Sequence, residues 1–348
     1  MRPLPGKGVA WVAFVLVGQA SAGGEPPAAD PDVTTREYRY LMGTSVEIMA
    51  NGGSASERRA AVDEAFAAVA EVDRLMSNYR DDSELAELNR NADRVPVKVS
   101  APLLSVLEAA QRVSALSDGA FDITVGPLVR LWGFHDKKAH VPAPEELARV
   151  RPLVGYKNLL IDESLHTARF ARPGVELDLG GIAKGFAVEL AANVLRKHGL
   201  TGLIDAGGNQ YLLGHPPGKD SWRVGIKNPD APNRLLGMLE VGECSVSTSA
   251  QNANYLTAGN RTYGHILDPR TLQPSDGALS ATIISPDGTF ADALSKVGFI
   301  LGPGRGLDII ESFPQTAGLI AYRQPDGRIG IATSPRLRGK FHPTSAPP

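Results

Sequence analysis

Hydrophobic positions along this chain follow two periods, and each predicts its own kind of element. Val62, Phe66, Val69, Val72 and Met76 recur at three- and four-residue spacing, which lines one face of a long helix and leaves Glu57, Arg58 and Glu64 to water. Ser100 stands before a second stripe, Leu103, Leu107, Ala110 and Val113, as its N-cap. A third helix is expected over residues 182–198, with Ile182, Phe186, Leu190 and Val194 facing inward and Gly199 as its stop. Downstream the pattern shortens to strand-length runs at 202–204, 222–226, 235–241, 245–249, 263–267 and 281–285. Two earlier strands, 38–41 and 46–50, flank Met42-Gly43-Thr44, and Asn51-Gly52-Gly53 turns the chain out of the second. Short helices at 290–301 and near 307–313, and a hairpin turned by Asp326-Gly327, complete the body. Runs of strands with interspersed helices predict an α+β fold, here one large domain over residues 34–333.

Composition narrows the classes of function. With 43% apolar and 21% charged residues over 348 positions, the chain can bury a sizeable core. A formal net charge of -2, with no Lys/Arg stripe interleaved with aromatics, argues against nucleic acid as a partner. Arg2 and Lys7 precede an apolar run at 9–17 and the small-residue stretch Gln19-Ala20-Ser21-Ala22. This is the layout of a cleaved secretory signal over residues 1–22. The run falls short of the roughly 20 residues that span a bilayer, and no cysteine follows it for lipid attachment. The mature chain is therefore expected to be exported, in the periplasm, without a transmembrane anchor. Residues 23–33 read as a flexible linker and 334–348 as a disordered tail. Cys244 is the only cysteine and is expected to pack in a core strand.

Candidate chemistry centres on ELDLGGIAKG at 176–185, where an acidic residue leaves an apolar strand, a glycine pair follows and a lysine enters a helix. Backbone amides at a helix start, close approach over Gly180 and Gly181, and the charge of Lys184 together suit a phosphate. The same residues also suit a plain strand-to-helix turn. His265 stands at a strand end ahead of Pro269, with a side chain whose ordinary pKa near 6.5 suits proton transfer. Asp268 is expected to fix the turn beyond it. Asp292, at the start of a short helix, can cap that helix or coordinate a metal. Gly207-Gly208 allows close backbone approach or makes a simple turn.

These segments occur in a fixed order with others: MGTSVEI from Met42, MSNYRDDSELAELN around Tyr79, GAFDITVGPLVRLWGF around Asp122, then ELDLGGIAKG, LIDAGGNQ at 203–210, HILDPRT at 265–271 and ADALSK at 291–296. The series resembles the ApbE family, the FAD:protein FMN transferases, over roughly residues 38–302. The resemblance implies an ApbE-like single α+β domain, FAD as substrate, Mg2+ as cofactor, and a Ser/Thr-containing flavoprotein as acceptor. It places Met42, Tyr79, Ala120, Phe121, Asp122, Asp178, Lys184 and Ile266 around the dinucleotide, and His265 as the base acting on the acceptor hydroxyl. The metal falls to the Gly181 carbonyl, Asp292 and the position held here by Lys296.

Two departures from the family pattern stand out. Lys296 replaces a threonine that contributes an oxygen to the metal, and a protonated ammonium cannot ligate a cation. Ser295 would point about 100° away around the helix. Three outcomes stay open: weakened metal binding, which is the favoured expectation, replacement of part of the metal's charge by the lysine, or loss of turnover. Leu272 stands where the family usually has glycine and is expected to alter the turn and narrow the acceptor's approach. The leading function is Mg2+-dependent cleavage of FAD with attachment of FMN, through a phosphoester, to Ser or Thr of an exported flavoprotein and release of AMP. Alternatives are an FAD pyrophosphatase giving FMN and AMP, and a flavin-binding protein without turnover.

Overall fold

Thr34–Leu41 and Thr44–Asn51 pair as a hairpin at one edge of an eight-stranded sheet. The computed structural model describes residues 14–15, 34–134, 140–250, 255–258 and 261–344. From the hairpin the sheet continues through Thr201–Ala206, Asn209–Leu213, Cys244–Ala250, Ser280–Ser285, Ala317–Arg323 and Ile329–Thr333, every neighbour antiparallel. Strand alternation sorts side chains to two faces. Val46, Ile48 and Ala50 join the helix-side core, while Met49 between them joins a second core on the opposite face.

That second core lies against a smaller sheet of Trp222–Lys227 and Leu235–Val241. Phe14–Val15 pairs with the first of these strands and Phe341–Pro343 with the second. The other face of the large sheet carries the helices Ala55–Met76, Ala101–Leu116, Ala183–Lys197 and Gly288–Leu301. The arrangement is the expected α+β fold. Cys244 is buried in its strand, and burial pushes its thiol pKa up to about 12. Among the described residues no helix is long and apolar enough to cross a membrane.

Local readings hold where one element decides them. Val62, Phe66, Val69, Val72 and Met76 are all buried, and Ser100 accepts the Leu103 amide as N-cap. Several expectations change. Arg58 is buried rather than wet, because its guanidinium donates to the carbonyls of Gly52 and Gly53 and to Thr35 Oγ1. In the Ala183–Lys197 helix the buried face centres on Gly185, Val188, Ala191, Ala192 and Leu195, with Phe186 and Leu190 only half-buried at its flanks. Small residues turn inward there because another helix packs against them.

No strand forms at 175–179, although Val175, Leu177 and Leu179 are buried. Asn89 holds its backbone in place of a strand neighbour, through the Leu177 amide at 2.9 Å and carbonyl at 3.0 Å. The expected strand at 263–267 is broken into Arg261–Gly264 and Leu267–Asp268. The tail is ordered through residue 344. Leu337 is buried in the second core, Phe341–Pro343 adds a strand, and Arg336 donates to the Glu311, Phe313 and Thr316 carbonyls. The 23–33 linker, most of the 1–22 signal and residues 345–348 lie outside the described residues.

Candidate functional site

Met42 and Gly43 form the two-residue tip of the first hairpin, both with positive φ (51° and 72°). This is a type I′ geometry that costs a non-glycine residue free energy, about 1 kcal/mol or more. Met42 is partly buried against the helix-side core. Gly207 and Gly208 form the neighbouring tip, again with two positive φ angles, between Thr201–Ala206 and Asn209–Leu213. A Cβ on Gly207 would come within 2.6 Å of Thr44 Oγ1, so the two tips touch. The glycine pair is thus a hairpin turn whose tight fit is to Thr44.

The glycine-rich segment at 178–185 packs against residues 121–123. Asp178 accepts the Gly180 amide through Oδ1 at 2.8 Å, and its own amide donates to the Ile123 carbonyl. Gly181 lies against Phe121: a Cβ there would stand 3.2 Å from Phe121 Cε2. Ala120, Phe121 and Asp122 are all buried. Asp122 Oδ1 accepts the Thr124 amide and hydroxyl, which commits that oxygen to a turn, and burial raises its pKa to about 6. Asn78, Gly126, Val129, Arg130, Glu176 and Asp178 line a small open pocket beside them. Tyr79, next to Asn78, is 76% exposed, and an aromatic ring placed there can stack on a planar ligand.

The Ala183–Lys197 helix has no side-chain cap from its own N-cap residue, Ile182. The carboxylate comes from another helix: Asp292 Oδ2 accepts the Gly185 amide at 2.9 Å. The relation is reciprocal. Glu189 Oε2 accepts the Gly288 amide at 2.8 Å, at the start of Gly288–Leu301. Gly185 and Gly288 meet where these helices cross; a Cβ on either would fall 2.0 or 2.4 Å from the other's carbonyl oxygen. Asp292 therefore does not cap its own helix. Asp287 does that, accepting the Phe290 amide.

Lys296 lies one turn beyond Asp292. Its Nζ is paired with Asp292 Oδ1 and donates to the Asp292 carbonyl at 3.2 Å. The lysine stem passes the glycine turn, with Cε and Cδ 3.8 and 3.9 Å from a Cβ built on Gly181. Asp292 is fully buried, while the lysine side chain keeps 20% of its surface open. Burial pulls the Lys296 pKa below the usual lysine range; Asp292 opposes that shift and the nearby Lys184 ammonium adds to it. Lys184 Nζ donates to the Gly180 carbonyl at 3.3 Å. Gly181, Lys184, Asp292 and Lys296 thus come together as expected. The donors do not suit a magnesium ion, because both Asp292 carboxylate oxygens already serve protein donors and one of these is a cation.

Ser295 points away from Lys296, as its place on the helix requires. It is fully buried, donates to the Asp292 carbonyl at 2.7 Å, and meets Ser249 Oγ at 2.7 Å. Ser247 bonds Asn209 Oδ1 at 2.6 Å and Ser295 Oγ at 3.4 Å. Sequence reading missed this polar layer. The alternation Ser245, Ser247, Ser249 on a central strand was its one available signal, since small hydroxyls on a helix-covered face need buried partners.

His265 is half-buried at the break between Arg261–Gly264 and Leu267–Asp268, and Ile266 beside it belongs to the core that holds Ala120 and Phe121. Asp268 fixes the turn as expected, receiving the Arg270 amide and a two-pronged guanidinium contact. Leu272 departs from expectation. Its φ of 60° is a conformation suited to glycine, yet its side chain is buried with Leu128, Trp132 and Leu267, and its carbonyl accepts Trp132 Nε1. It packs inward and does not narrow an approach.

A family model described as "ApbE family" matches residues 42–320. A Treponema pallidum protein named "FAD:protein FMN transferase" is 31% identical over 90% of each chain. A Vibrio cholerae protein of the same name is 34% identical over 76% of this chain and 80% of its own. Among solved structures, the flavin transferase ApbE from Vibrio cholerae superposes with a TM-score of 0.80 at 30% identity, covering 88% of this chain and 99% of that one. The ApbE protein of Thermotoga maritima gives 0.78 at 31% identity, covering 86% and 97%. With a family model matching residues 42–320 and a fold shared over 88% of its length, this chain belongs to the ApbE family.

Proposed function

We propose that this chain is an FAD:protein FMN transferase, and that its acceptor is a Ser or Thr hydroxyl of an exported flavoprotein. One observation carries the reading: the Asp292–Lys296 pair packs against the Gly180-Gly181 turn and is linked, through Ser295, Ser247 and Asn209, to the two touching hairpin tips, so segments some 250 residues apart in the chain are joined. The flavin-adenine dinucleotide lies with its pyrophosphate against Lys184 and the glycine turn, and Tyr79 stacks on one of its ring systems. The acceptor oxygen bonds to the phosphorus of the FMN half. The bridging P–O bond breaks, AMP leaves with the bonding electron pair, and the hydroxyl proton passes to His265.

Magnesium, which the family resemblance implies, does not suit the donors present, because the Lys296 ammonium occupies Asp292 Oδ1 while Gly185 holds Oδ2. The signal-like start supports export to the periplasm. Its removal takes away the Phe14–Val15 strand and leaves Trp222–Lys227 at the edge of the smaller sheet.

Incubation of the purified chain with FAD and a domain bearing an acceptor Thr tests the reading. FMN covalently attached to the domain is expected by mass spectrometry; free FMN alone would mark a pyrophosphatase, and unchanged FAD a binding protein.

A further inference from the structure

Three positive or acidic groups converge on the glycine turn: the carboxylate of Asp292 and the ammonium groups of Lys296 and Lys184. Lys296 Nζ takes two oxygens of one residue, the Asp292 carboxylate Oδ1 and the main-chain carbonyl. The second carboxylate oxygen is tied to Gly185 where two helices touch backbone to backbone, so Asp292 cannot swing away from the lysine. A divalent cation bound to Oδ1 would sit about 2 Å from it, in the space that the ammonium fills. It would also stand against a full positive charge at contact range. Meanwhile a fifth of the Lys296 side-chain surface remains open beside Gly181.

We infer that Lys296 is a tethered cation standing in the place of a divalent metal, and that this protein binds the FAD pyrophosphate without magnesium. The inference rests on the FAD-transfer reading above. One carboxylate against two ammonium groups leaves a single net positive charge facing the pyrophosphate. That charge is built into the helix at a fixed position, so its presence does not depend on the concentration of free cation. Lys184, whose ammonium donates to the Gly180 carbonyl, supplies a second donor at the glycine turn. An ammonium donates up to three hydrogen bonds; two of those on Lys296 hold Asp292, and the third is available to a phosphate oxygen.

The test is FAD affinity of the full protein, by flavin fluorescence, in excess EDTA and in excess Mg2+, with Mn2+ electron paramagnetic resonance as a direct probe of cation binding. The wild type is expected to bind FAD equally in both media and to bind no Mn2+ in the FAD complex. Lys296→Thr should gain a Mn2+ signal that Mg2+ displaces, and its FAD affinity should become cation-dependent. Lys296→Met should lose about tenfold or more in FAD affinity in EDTA, the scale of one charge-assisted hydrogen bond, and gain no Mn2+. A wild type whose FAD affinity rises tenfold with Mg2+, or which binds Mn2+, overturns the inference while leaving FAD transfer intact; the wild-type arms decide this even if a variant fails to fold. A wild type that binds FAD in neither medium overturns both.

Discussion

Gly185→Ala is the smallest change that should break the site, and its size can be worked from the helix crossing. The added Cβ would lie 2.0 Å from the Gly288 carbonyl oxygen, 2.6 Å from Asp292 Cβ and 2.8 Å from the Gly288 carbonyl carbon. Two of these three atoms are backbone, so no rotamer change relieves the contact. An ordinary C···O contact is about 3.3 Å, which requires the helices to part by roughly 1.3 Å. The Gly185–Asp292 bond at 2.9 Å does not survive that movement, and the reciprocal Gly288–Glu189 bond at 2.8 Å is strained with it.

Overpacking costs about 1–3 kcal/mol, and loss of a hydrogen bond to a charged group about 1.5–3 kcal/mol. Alanine recovers about 1 kcal/mol of helix propensity over glycine. The crossing term wins, leaving a net loss of about 1.5–5 kcal/mol. Urea denaturation followed by circular dichroism measures it. Gly242→Ala is the control: a Cβ there meets nothing within 4 Å and φ is not positive, so a change within about 0.5 kcal/mol is expected. Equal midpoints for the two variants would refute the crossing as a constraint. Asp292 is also released from its fixed position in Gly185→Ala, so FAD affinity should fall in any fraction that remains folded.

His265→Ala should leave FAD binding unchanged while lowering FMN transfer by about 100-fold, the usual scale for a lost general base; undiminished transfer would remove His265 from the mechanism. Asp205 tests pH linkage. It is buried, accepts Gln210 Nε2 at 2.6 Å and the Gly208 amide at 3.2 Å, and burial raises its pKa from 3.8 to about 6. A raised carboxylate pKa means the folded state holds a proton that the unfolded state has released, so stability falls as pH rises from about 4 through 6. Asp205→Asn should therefore stabilise the protein by on the order of 1–3 kcal/mol at about pH 8 and by little at about pH 4; an equal gain at both would exclude ionisation as the cause. Truncation after Thr333 removes buried Leu337 and the Phe341–Pro343 strand, and should lower the urea midpoint by the equivalent of about 2 kcal/mol or more. An unchanged midpoint would restore the disordered-tail reading. Mass spectrometry of exported protein should find a terminus near Gly23, and an intact Met1 on cytosolic protein would count against the signal.

How much of this was legible in the sequence depended on whether one element or two decided the outcome. The Ala183–Lys197 and Gly288–Leu301 helices were placed within two residues of their bounds, because period, stop signal and turn chemistry are local. The buried face of the first was misjudged, because a stripe of large residues was weighed above the small ones at Gly185, Ala191 and Ala192. Large residues define a face that packs on a sheet; small ones define a face that meets another helix closely. The role of Asp292 was hidden for the same reason, since its partner Gly185 is 107 residues away. Yet a trace was present: each helix has a carboxylate one turn after a glycine, Gly185 with Glu189 and Gly288 with Asp292. Across a crossing such a pair becomes a reciprocal clamp, because each glycine admits the other's backbone and each carboxylate lies over the other's open amide. The same clamp fixes Asp292 at a position where Lys296, one turn on, can reach both of its available oxygens. Position 296 can therefore change from hydroxyl to ammonium with the backbone frame kept, and the chemistry of the site can differ while the fold and its glycine turn stay as they are.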